Sequence, residues 1–329
     1  MRLLVTGGAG YIGSHTVRQL VHEGHEVTVF DNLVLGHSQA VDVPIVRGEL
    51  VDRQLIHQVL ANGGFAGVVH FAGYAAVAES IANPGKYFYN NVGGSINLLD
   101  AMVAAAVPFV VFSSTSEVYG EARELPIPED HPKLPTNPYG ESKWMVEQVL
   151  RRYGDACGLR SISLRYFNAA GAAEDGSIGE DHEPEMHLVP NALRSALGRG
   201  AFEFTCSKVD TPDGTTIRDY VHVLDLASAH VLAVRALADG HPTDAFNVGL
   251  GRGYSTKQVV EAVQRVTGVM FPTTPGRPRP GEPAAKFASN AKIGEQLGWR
   301  PVHQLESIIT SALRWHESHP QGFASKGVG

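Results

Sequence analysis

The chain contains 329 residues, of which 43% are hydrophobic and 19% charged, a composition that is typical of globular proteins and argues against disorder or a coiled coil. Its formal net charge of -7 argues against general nucleic-acid binding, which needs a net basic face. No apolar stretch approaches the roughly 20 residues of a membrane span, and no signal region precedes Arg2, so we expect a cytoplasmic protein without a membrane partner. The two cysteines, Cys157 and Cys206, predict neither a disulfide framework nor a zinc site.

Short apolar runs alternate with helical segments through the first half of the chain. The runs predicted as strands are Leu3–Thr6, Glu26–Phe30, Pro44–Arg47, Val68–Phe71, Phe109–Phe112 and Ser161–Leu164. The segments predicted as helices are Ser14–Glu23, Arg53–Ala61, Ile96–Ala106 and Tyr139–Tyr153. Continuous apolar strands separated by helices are typical of βαβ units, so the pattern predicts an α/β fold with a doubly wound parallel sheet.

The second half has a looser pattern. Helices are predicted at Pro190–Arg199, Leu224–Ala238 and Thr256–Thr267, between acidic, Gly-rich and Pro-rich loops. Because a chain of this length exceeds the roughly 250 residues at which one core stops growing, we expect two domains, at 1–167 and 168–329. The segment near 245–250 is a candidate for return to the first domain. Ligands of open α/β sheets bind outside the carboxyl ends of the strands, which predicts a cleft between the halves.

A glycine-rich turn predicts a dinucleotide site. Gly7, Gly10 and Gly13 separate the first predicted strand from the first helix, and such glycines let backbone amides approach a pyrophosphate at a helix N-terminus. Asp31 and Asn32 end the next strand, 18 residues beyond Gly13, near the spacing of the acidic residue that binds the adenosine ribose. A carboxylate there repels a 2′-phosphate, so NAD is predicted rather than NADP.

Tyr139 and Lys143 lie four residues apart on one face of a predicted helix, for which Asn137 is the predicted N-cap and Pro138 a first-turn residue. A free tyrosine, with a pKa near 10, is a poor base. A neighbouring ammonium and a positive nicotinamide ring are expected to lower that pKa and make Tyr139 a general base. A surface tyrosine beside a solvated lysine is the alternative. Thr115 follows a predicted strand end, where its hydroxyl can bond a sugar oxygen.

Together, the Gly-x-x-Gly-x-x-Gly spacing and Thr115, Tyr139 and Lys143 resemble the triad of extended short-chain dehydrogenases/reductases. The resemblance to the UDP-glucose 4-epimerases of that superfamily runs nearly end to end. Its motifs are Thr6–His15, His70–Gly73, Tyr89–Val92, Leu164–Asn168, Gly179–Pro190, Asp213–His222 and Arg279–Glu282. The resemblance implies a Rossmann-like NAD domain, a smaller C-terminal α/β domain that binds a UDP-sugar, and a homodimer formed through helices 96–106 and 139–151.

The resemblance also implies a role for each site residue. Tyr139 is expected to remove the proton of the sugar 4-hydroxyl, Thr115 to hold that oxygen, and Lys143 to bind the nicotinamide ribose and tune Tyr139. The implied cofactor-binding residues are Gly7, Gly10, Tyr11, Ile12, Gly13, Asp31, Asn32, Glu49, Leu50, Phe71, Ala72, Gly73, Asn90, Ser113, Tyr139, Lys143 and Tyr166. The implied substrate-binding residues are Thr115, Tyr139, Phe167, Asn168, His187, Leu188, Arg218, Arg279 and Glu282. No metal is expected.

Five positions depart from the commonest epimerase pattern. Ala75 stands where many members carry a lysine that reaches the cofactor, and Glu49 replaces the usual aspartate beside the adenine. His187 occupies a place where asparagine is frequent. Thr205-Cys206 replaces the Phe-Gly pair beside the uracil, which places the identity of the base in doubt. Lys286 falls at the position linked to N-acetylated sugars, where a bulky side chain favours plain hexoses.

Two other functions stay open at this level. The Thr115–Tyr119 segment is similar to that of sugar-nucleotide decarboxylases, which carry a catalytic glutamate where Glu117 lies. Dehydratases place an aspartate at the position of Ser116, which disfavours dehydration. A dinucleotide sensor without catalysis is the second alternative, although such proteins tend to lose the tyrosine or the lysine.

Overall fold

The computed structural model describes residues 1–204, 209–275 and 283–323. A sheet of seven parallel strands lies at its centre, in the order β7-β6-β5-β4-β1-β2-β3. These strands are β1 (Arg2–Thr6), β2 (Glu26–Asp31), β3 (Ile45–Arg47), β4 (Gly67–His70), β5 (Phe109–Ser113), β6 (Arg160–Tyr166) and β7 (Asp244–Val248). The chain reverses its direction of travel across the sheet beside β1, which is the topological switch point where α/β folds bind ligands.

Eleven helices of the described ranges accompany the sheet. They are α1 (Tyr11–His22), α2 (Arg53–Gly63), α3 (Val77–Ala82), α4 (Pro84–Tyr87), α5 (Gly94–Ala104), α6 (Pro138–Cys157), α7 (Leu188–Ala196), α8 (Val223–Ala238), α9 (Thr256–Thr267), α10 (Ala291–Leu297) and α11 (Leu305–Ser318). Short 3-10 segments cover Ser38–Ala40 and Ser116–Tyr119, and a π-helical segment, Phe88–Gly93, joins α4 to α5. Across the described part of the chain, no helix combines the length and the apolar character that crossing a membrane requires.

Both faces of the sheet are buried, which explains the continuous apolar strands. Leu3 and Val5 belong to the core that includes Val17 of α1 and Leu226 of α8. The intervening residue, Leu4, belongs to the opposite core, with residues of α2, α5 and α6. Successive strand residues point to opposite faces, so a strand covered on both sides is apolar at every position. The predicted doubly wound α/β class is confirmed.

A third core lies in the second half, where α7, α9 and α11 pack together. Small sheets surround it. They pair Asn168–Ala170 with Tyr220–His222, Phe202–Phe204 with Thr273–Pro275, and Ile217–Arg218 with both Tyr254–Ser255 and Ala285–Lys286. This half supplies residues from Asn168 onward to the cleft at the carboxyl ends of the central strands.

Several predicted boundaries were wrong by a few residues. The first helix begins at Tyr11 rather than Ser14, because Gly10 already serves as its N-cap in extended conformation. Helix α6, which carries Tyr139 and Lys143, continues to Cys157 and ends at Gly158, whose φ of 70° is the left-handed conformation that stops a helix. α7 starts at Leu188, two residues ahead of the predicted Pro190, since a proline is tolerated in the first turn. Helices α3, α4, α10 and α11 were not predicted.

Candidate active site

The glycine turn after β1 is shaped by backbone contact. A Cβ on Gly7, whose φ is +69°, would lie 2.5 Å from the Ala72 nitrogen, and a Cβ on Gly13 would lie 2.3 Å from the Gly7 oxygen. Neither position has room for a side chain. Gly10 caps α1 without a side-chain hydrogen bond, so the first amides of that helix stay available to an anion.

Asp31 ends β2 and lies on the cleft beside the glycine turn. Its Oδ2 accepts from the Ala9 amide at 3.0 Å and its Oδ1 from the Leu33 amide at 2.9 Å. Burial raises the pKa of this carboxyl, while the two backbone bonds act in the opposite direction. Each carboxylate oxygen has a second lone pair, so Asp31 retains acceptor capacity toward a hydroxyl in the cleft.

The structure places every described cofactor-binding candidate on this one cleft, whose volume is about 450 Å³. The candidates found along its walls are Gly7, Gly10, Tyr11, Ile12, Gly13, Asp31, Asn32, Glu49, Leu50, Phe71, Ala72, Gly73, Asn90, Ser113, Tyr139, Lys143 and Tyr166. Ala75, at the position where many epimerases carry a lysine, lies on the cleft as well. The residues are contributed by strand ends and by the segments that follow them, which is why distant parts of the sequence converge here.

Asn91 is a supporting residue that the sequence analysis missed. Its Oδ1 accepts from the Tyr74 amide at 2.9 Å, and its Nδ2 donates to the Tyr74 carbonyl at 3.0 Å and to the Ser142 hydroxyl at 3.1 Å. It therefore ties the π-helical segment to α6 while Asn90, its neighbour, faces the cleft. Its position inside the Tyr89–Val92 motif is the sequence feature from which its role could have been predicted.

The helix that carries Tyr139 and Lys143 begins as predicted. Asn137 is its N-cap, accepting from the Gly140 amide at 2.9 Å, and Pro138 occupies the first turn. Gly140 lies against the 3-10 segment, since a Cβ there would be 2.6 Å from the Glu117 carbonyl oxygen. This close packing holds the start of α6 against the 3-10 segment that follows β5, and Tyr139 and Thr115 line the cleft together.

Tyr139 and Lys143 are both almost fully buried, with 8% and 4% of their surfaces exposed. The alternative of a surface tyrosine beside a solvated lysine is therefore wrong. Lys143 Nζ donates to the Ser113 carbonyl at 2.9 Å. Burial lowers the pKa of Lys143 to about 8, and burial raises the pKa of Tyr139 to about 12. The expected depression of the Tyr139 pKa is thus absent from the protein alone, because loss of solvation outweighs the opposing effect of the Thr115 hydroxyl.

A second tyrosine lies next to this pair. Tyr166, at the end of β6, shares a hydrogen bond with the Ser113 hydroxyl, and burial raises its pKa. Because Ser113 also accepts from Lys143 through its carbonyl, the ends of β5 and β6 and the second turn of α6 form one connected polar group. That connection fixes the orientation of the lysine toward the cleft.

Glu117 and Lys286 form an ion pair in the wall of the cleft. Lys286 Nζ lies 2.7 Å from Glu117 Oε1, and Asn137 Nδ2 donates to Glu117 Oε2 at 2.8 Å. Lys286 holds the pKa of the Glu117 carboxyl below its usual range against the opposing effect of burial. Glu117 therefore joins the N-cap of α6 to the short strand Ala285–Lys286 of the second half.

The substrate-binding candidates line the same cleft. Those that the structure describes are Thr115, Tyr139, Phe167, Asn168, His187, Leu188 and Arg218. His182 and Tyr220, which were not predicted, lie with them. Arg279 and Glu282, together with Thr205-Cys206, lie outside the described residues.

Comparisons with known proteins agree on one family. The profile of the NAD dependent epimerase/dehydratase family matches residues 3–249. Curated UDP-glucose 4-epimerases from Lacticaseibacillus casei and Lactobacillus helveticus are each 46% identical over 330 residues, covering 99% of this chain and 100% of theirs. A UDP-glucose 4-epimerase from Brucella ovis in complex with NAD has a TM-score of 0.92 at 43% identity, covering 95% of this chain and 98% of its own. The Bifidobacterium longum enzyme in complex with NAD+ and UDP has a TM-score of 0.94 at 36% identity, covering 98% and 100%.

Proposed function

This chain belongs to the NAD dependent epimerase/dehydratase family, and we propose that it interconverts UDP-glucose and UDP-galactose by NAD-dependent 4-epimerisation. One observation carries the proposal. A single cleft joins the glycine turn and Asp31, at one end, to Tyr139 and Lys143, and continues to Arg218 at the other. Full-length relatives named UDP-glucose 4-epimerases support this choice of substrate class.

The chain's own residues fit NAD. The glycine-rich turn at the N-terminus of α1 has room for the pyrophosphate. The Asp31 carboxylate on the same cleft can still accept a hydrogen bond from an adenosine ribose hydroxyl. When bound, NAD accepts the C4 hydrogen as hydride and returns it to the opposite face, so that the sugar passes through a 4-keto form without net oxidation. Lys143 is the residue that we assign to the nicotinamide ribose.

Tyr139 is the proposed base for the sugar 4-hydroxyl. At neutral pH its pKa of about 12 keeps it protonated in the protein alone, so added positive charge is needed to make it active. Lys143, whose pKa of about 8 leaves most of it protonated at neutral pH, supplies part of that charge from the same helix face. Thr115, whose hydroxyl acts on the pKa of Tyr139, is the residue that we assign to hold the sugar oxygen whose proton Tyr139 removes.

The diphosphate is assigned to the far end of the cleft, in the part of the chain from residue 168 onward that we propose as the substrate domain. Arg218 lies there, and its guanidinium matches phosphate oxygens in a bidentate manner. Asn168, His187 and Leu188 lie around it, and we propose that they contact the nucleotide. A local cation is needed because the protein as a whole carries a charge of -7.

The state of Glu117 favours epimerisation over decarboxylation. A catalytic glutamate must be free to exchange a proton with the substrate, whereas this carboxylate is held by Lys286 at 2.7 Å and by Asn137 at 2.8 Å. A sensor without chemistry is disfavoured as well, because Thr115, Tyr139 and Lys143 are buried together beside the cleft.

The test is incubation of the purified protein with UDP-galactose in the absence of added NAD, followed by chromatography of the products. Formation of UDP-glucose is the expected result and indicates a retained cofactor. Tyr139→Phe is expected to abolish most turnover, while Tyr153→Phe, on the same helix and bonded to Asp100, serves as the matched control. Unchanged UDP-galactose together with carbon dioxide release from UDP-glucuronate would instead assign catalysis to Glu117.

We also propose a homodimer and a cytoplasmic location. Ile96 and Val103 of α5 and Met145 of α6 are exposed apolar side chains on the two helices assigned to the dimer contact. The exposed free thiol of Cys157 suits a reducing compartment. Light scattering of the native protein beside an Ile96→Glu variant tests the dimer: a mass of one chain for the native protein would contradict it.

A further inference from the structure

Four side chains of segment 180–187, just ahead of α7, converge on one point. Glu180, His182, Glu185 and His187 each bring one ligand atom to within 4.8 Å of the others. His182 Nδ1 lies 3.2 Å from Glu180 Oε1 and 3.9 Å from Glu185 Oε2. His187 Nδ1 lies 3.6 Å from Glu185 Oε1 and contacts Glu180 Oε1 directly.

The two carboxylates are withdrawn from water. The side chains of Glu180 and Glu185 are 5% and 0% exposed. Glu185 Oε1 accepts from the Met186 and His187 amides, both at 2.8 Å, but its Oε2 is buried and has no hydrogen-bond partner among the described residues. A buried, unsatisfied carboxylate oxygen is costly unless a cation binds it.

The separations within the cluster are close to those of a metal coordination sphere. Bonds of about 2.0–2.1 Å from a tetrahedral Zn²⁺ to nitrogen and oxygen ligands require ligand atoms about 3.3 Å apart. His182 Nδ1 lies 3.2 Å from Glu180 Oε1 and 3.9 Å from Glu185 Oε2, one value on each side of that separation, and the four ligand atoms all lie within 4.8 Å of one another. Two imidazole nitrogens with two carboxylate oxygens suit Zn²⁺, whereas Mg²⁺ and Ca²⁺ prefer oxygen alone. Two carboxylates also neutralise the charge of the ion.

We propose that Glu180, His182, Glu185 and His187 form a structural Zn²⁺ site, in which His187 binds the ion through Nδ1 and keeps Nε2 for the nucleotide contact proposed above. With four protein ligands the site is closed, which is the arrangement of a structural rather than a catalytic zinc. Trp315 supports it from behind, donating from Nε1 to the Glu180 carbonyl at 3.0 Å. Because His182, His187 and Leu188 also line the cleft, the ion would fix this wall of the cleft and the start of α7.

The experiment measures metal rather than turnover. Both cysteines are first replaced, as Cys157→Ser and Cys206→Ser, so that thiols do not contribute ligands. The full-length protein is stripped with a chelator and dialysed against Zn²⁺ or Co²⁺, and bound metal is counted by mass spectrometry. One Zn²⁺ per chain is expected, and the Co²⁺ form is expected to show the intense visible absorption of a tetrahedral site.

Glu185→Gln keeps the shape of the side chain and removes its charge, and it is expected to weaken Zn²⁺ binding by about tenfold or more. Glu183→Gln, an exposed glutamate of the same segment, is the matched control and is expected to bind Zn²⁺ like the parent protein. His182→Gln, checked for folding by circular dichroism, provides a second ligand variant. Substoichiometric Zn²⁺ in the parent protein, or equal binding by the parent and both ligand variants, would overturn the proposal.

Discussion

Replacing Lys286 with methionine removes the ammonium that neutralises Glu117 and retains most of the side-chain volume. The Lys286 side chain is 5% exposed and that of Glu117 is 27% exposed, with 2.7 Å between Nζ and Oε1. Breaking a buried pair from one side costs about 3–5 kcal/mol, because the remaining charge is uncompensated. Glu117 keeps some solvent contact and the hydrogen bond from the Asn137 amide, so we expect Lys286→Met to cost less than this range, about 2–3 kcal/mol.

The reciprocal variant is expected to be at least as costly. Glu117→Gln leaves an almost fully buried ammonium, for which we expect a loss of about 3–4 kcal/mol. The double variant Glu117→Gln/Lys286→Met carries no unpaired charge, so its loss of stability is expected to be well below the sum of the two single losses. Such non-additivity is the signature of a direct interaction.

The same variants should shift the pH dependence of turnover in opposite directions. The Glu117 charge raises the pKa of Tyr139. Without Lys286 that charge is no longer balanced, so the acid limb of the kcat profile should move to higher pH, since Tyr139 works as a base. Glu117→Gln should move the limb to lower pH, and each unit of displacement corresponds to about 1.4 kcal/mol.

Thermal unfolding and kcat profiles of the four proteins provide the measurement. Lys292→Met is the matched control, because Lys292 pairs with Asp244 outside the cleft and its side chain is 29% exposed, against 5% for Lys286. That control is expected to lose at most about 1 kcal/mol and to keep the native kcat profile. Additive stability losses in the double variant would refute a direct Glu117–Lys286 interaction. Acid limbs of kcat at the same pH in the two single variants would refute the coupling of this pair to Tyr139.

Three further predictions concern the base, the ribose contact and three buried histidines. Tyr139→Phe is expected to lower kcat for UDP-galactose by about 10²–10⁴ without loss of bound NAD, as measured by chromatography and cofactor fluorescence; near-native turnover would exclude it as the base. Asp31→Ser is expected to weaken NAD binding and strengthen NADP binding in fluorescence titrations, and an unchanged preference would contradict the assigned ribose contact. Burial lowers the pKa of His15, His70 and His230 to about 4, 3 and 4, below the usual 6.5. The unfolded chain therefore takes up more protons, so stability is full above pH about 6.5 and is lost as pH falls toward 4. Urea midpoints should decline over this interval, less steeply in His70→Gln, and a flat series would show that these rings are not held neutral.

Local sequence patterns were enough to predict much of the fold. The apolar runs predicted the doubly wound sheet because strands buried on both faces must be apolar at every position. The first glycine turn and the Asn137 cap were predictable for the same kind of reason, since a turn or a helix start depends on residues within a few positions of it. The motifs also indicated the family, which the profile over residues 3–249 confirms.

Long-range contacts decided the rest. The seventh strand, Asp244–Val248, joins β6 only through tertiary pairing, and Lys286 reaches Glu117 across 169 positions of sequence. Burial reversed the expected shift of the Tyr139 pKa, because desolvation depends on everything packed around the ring. The cluster around Glu185 likewise arises from the folding of its loop. The sequence shows which side chains carry ligand atoms, whereas burial of the Glu185 Oε2 atom without a hydrogen-bond partner is a property of the fold.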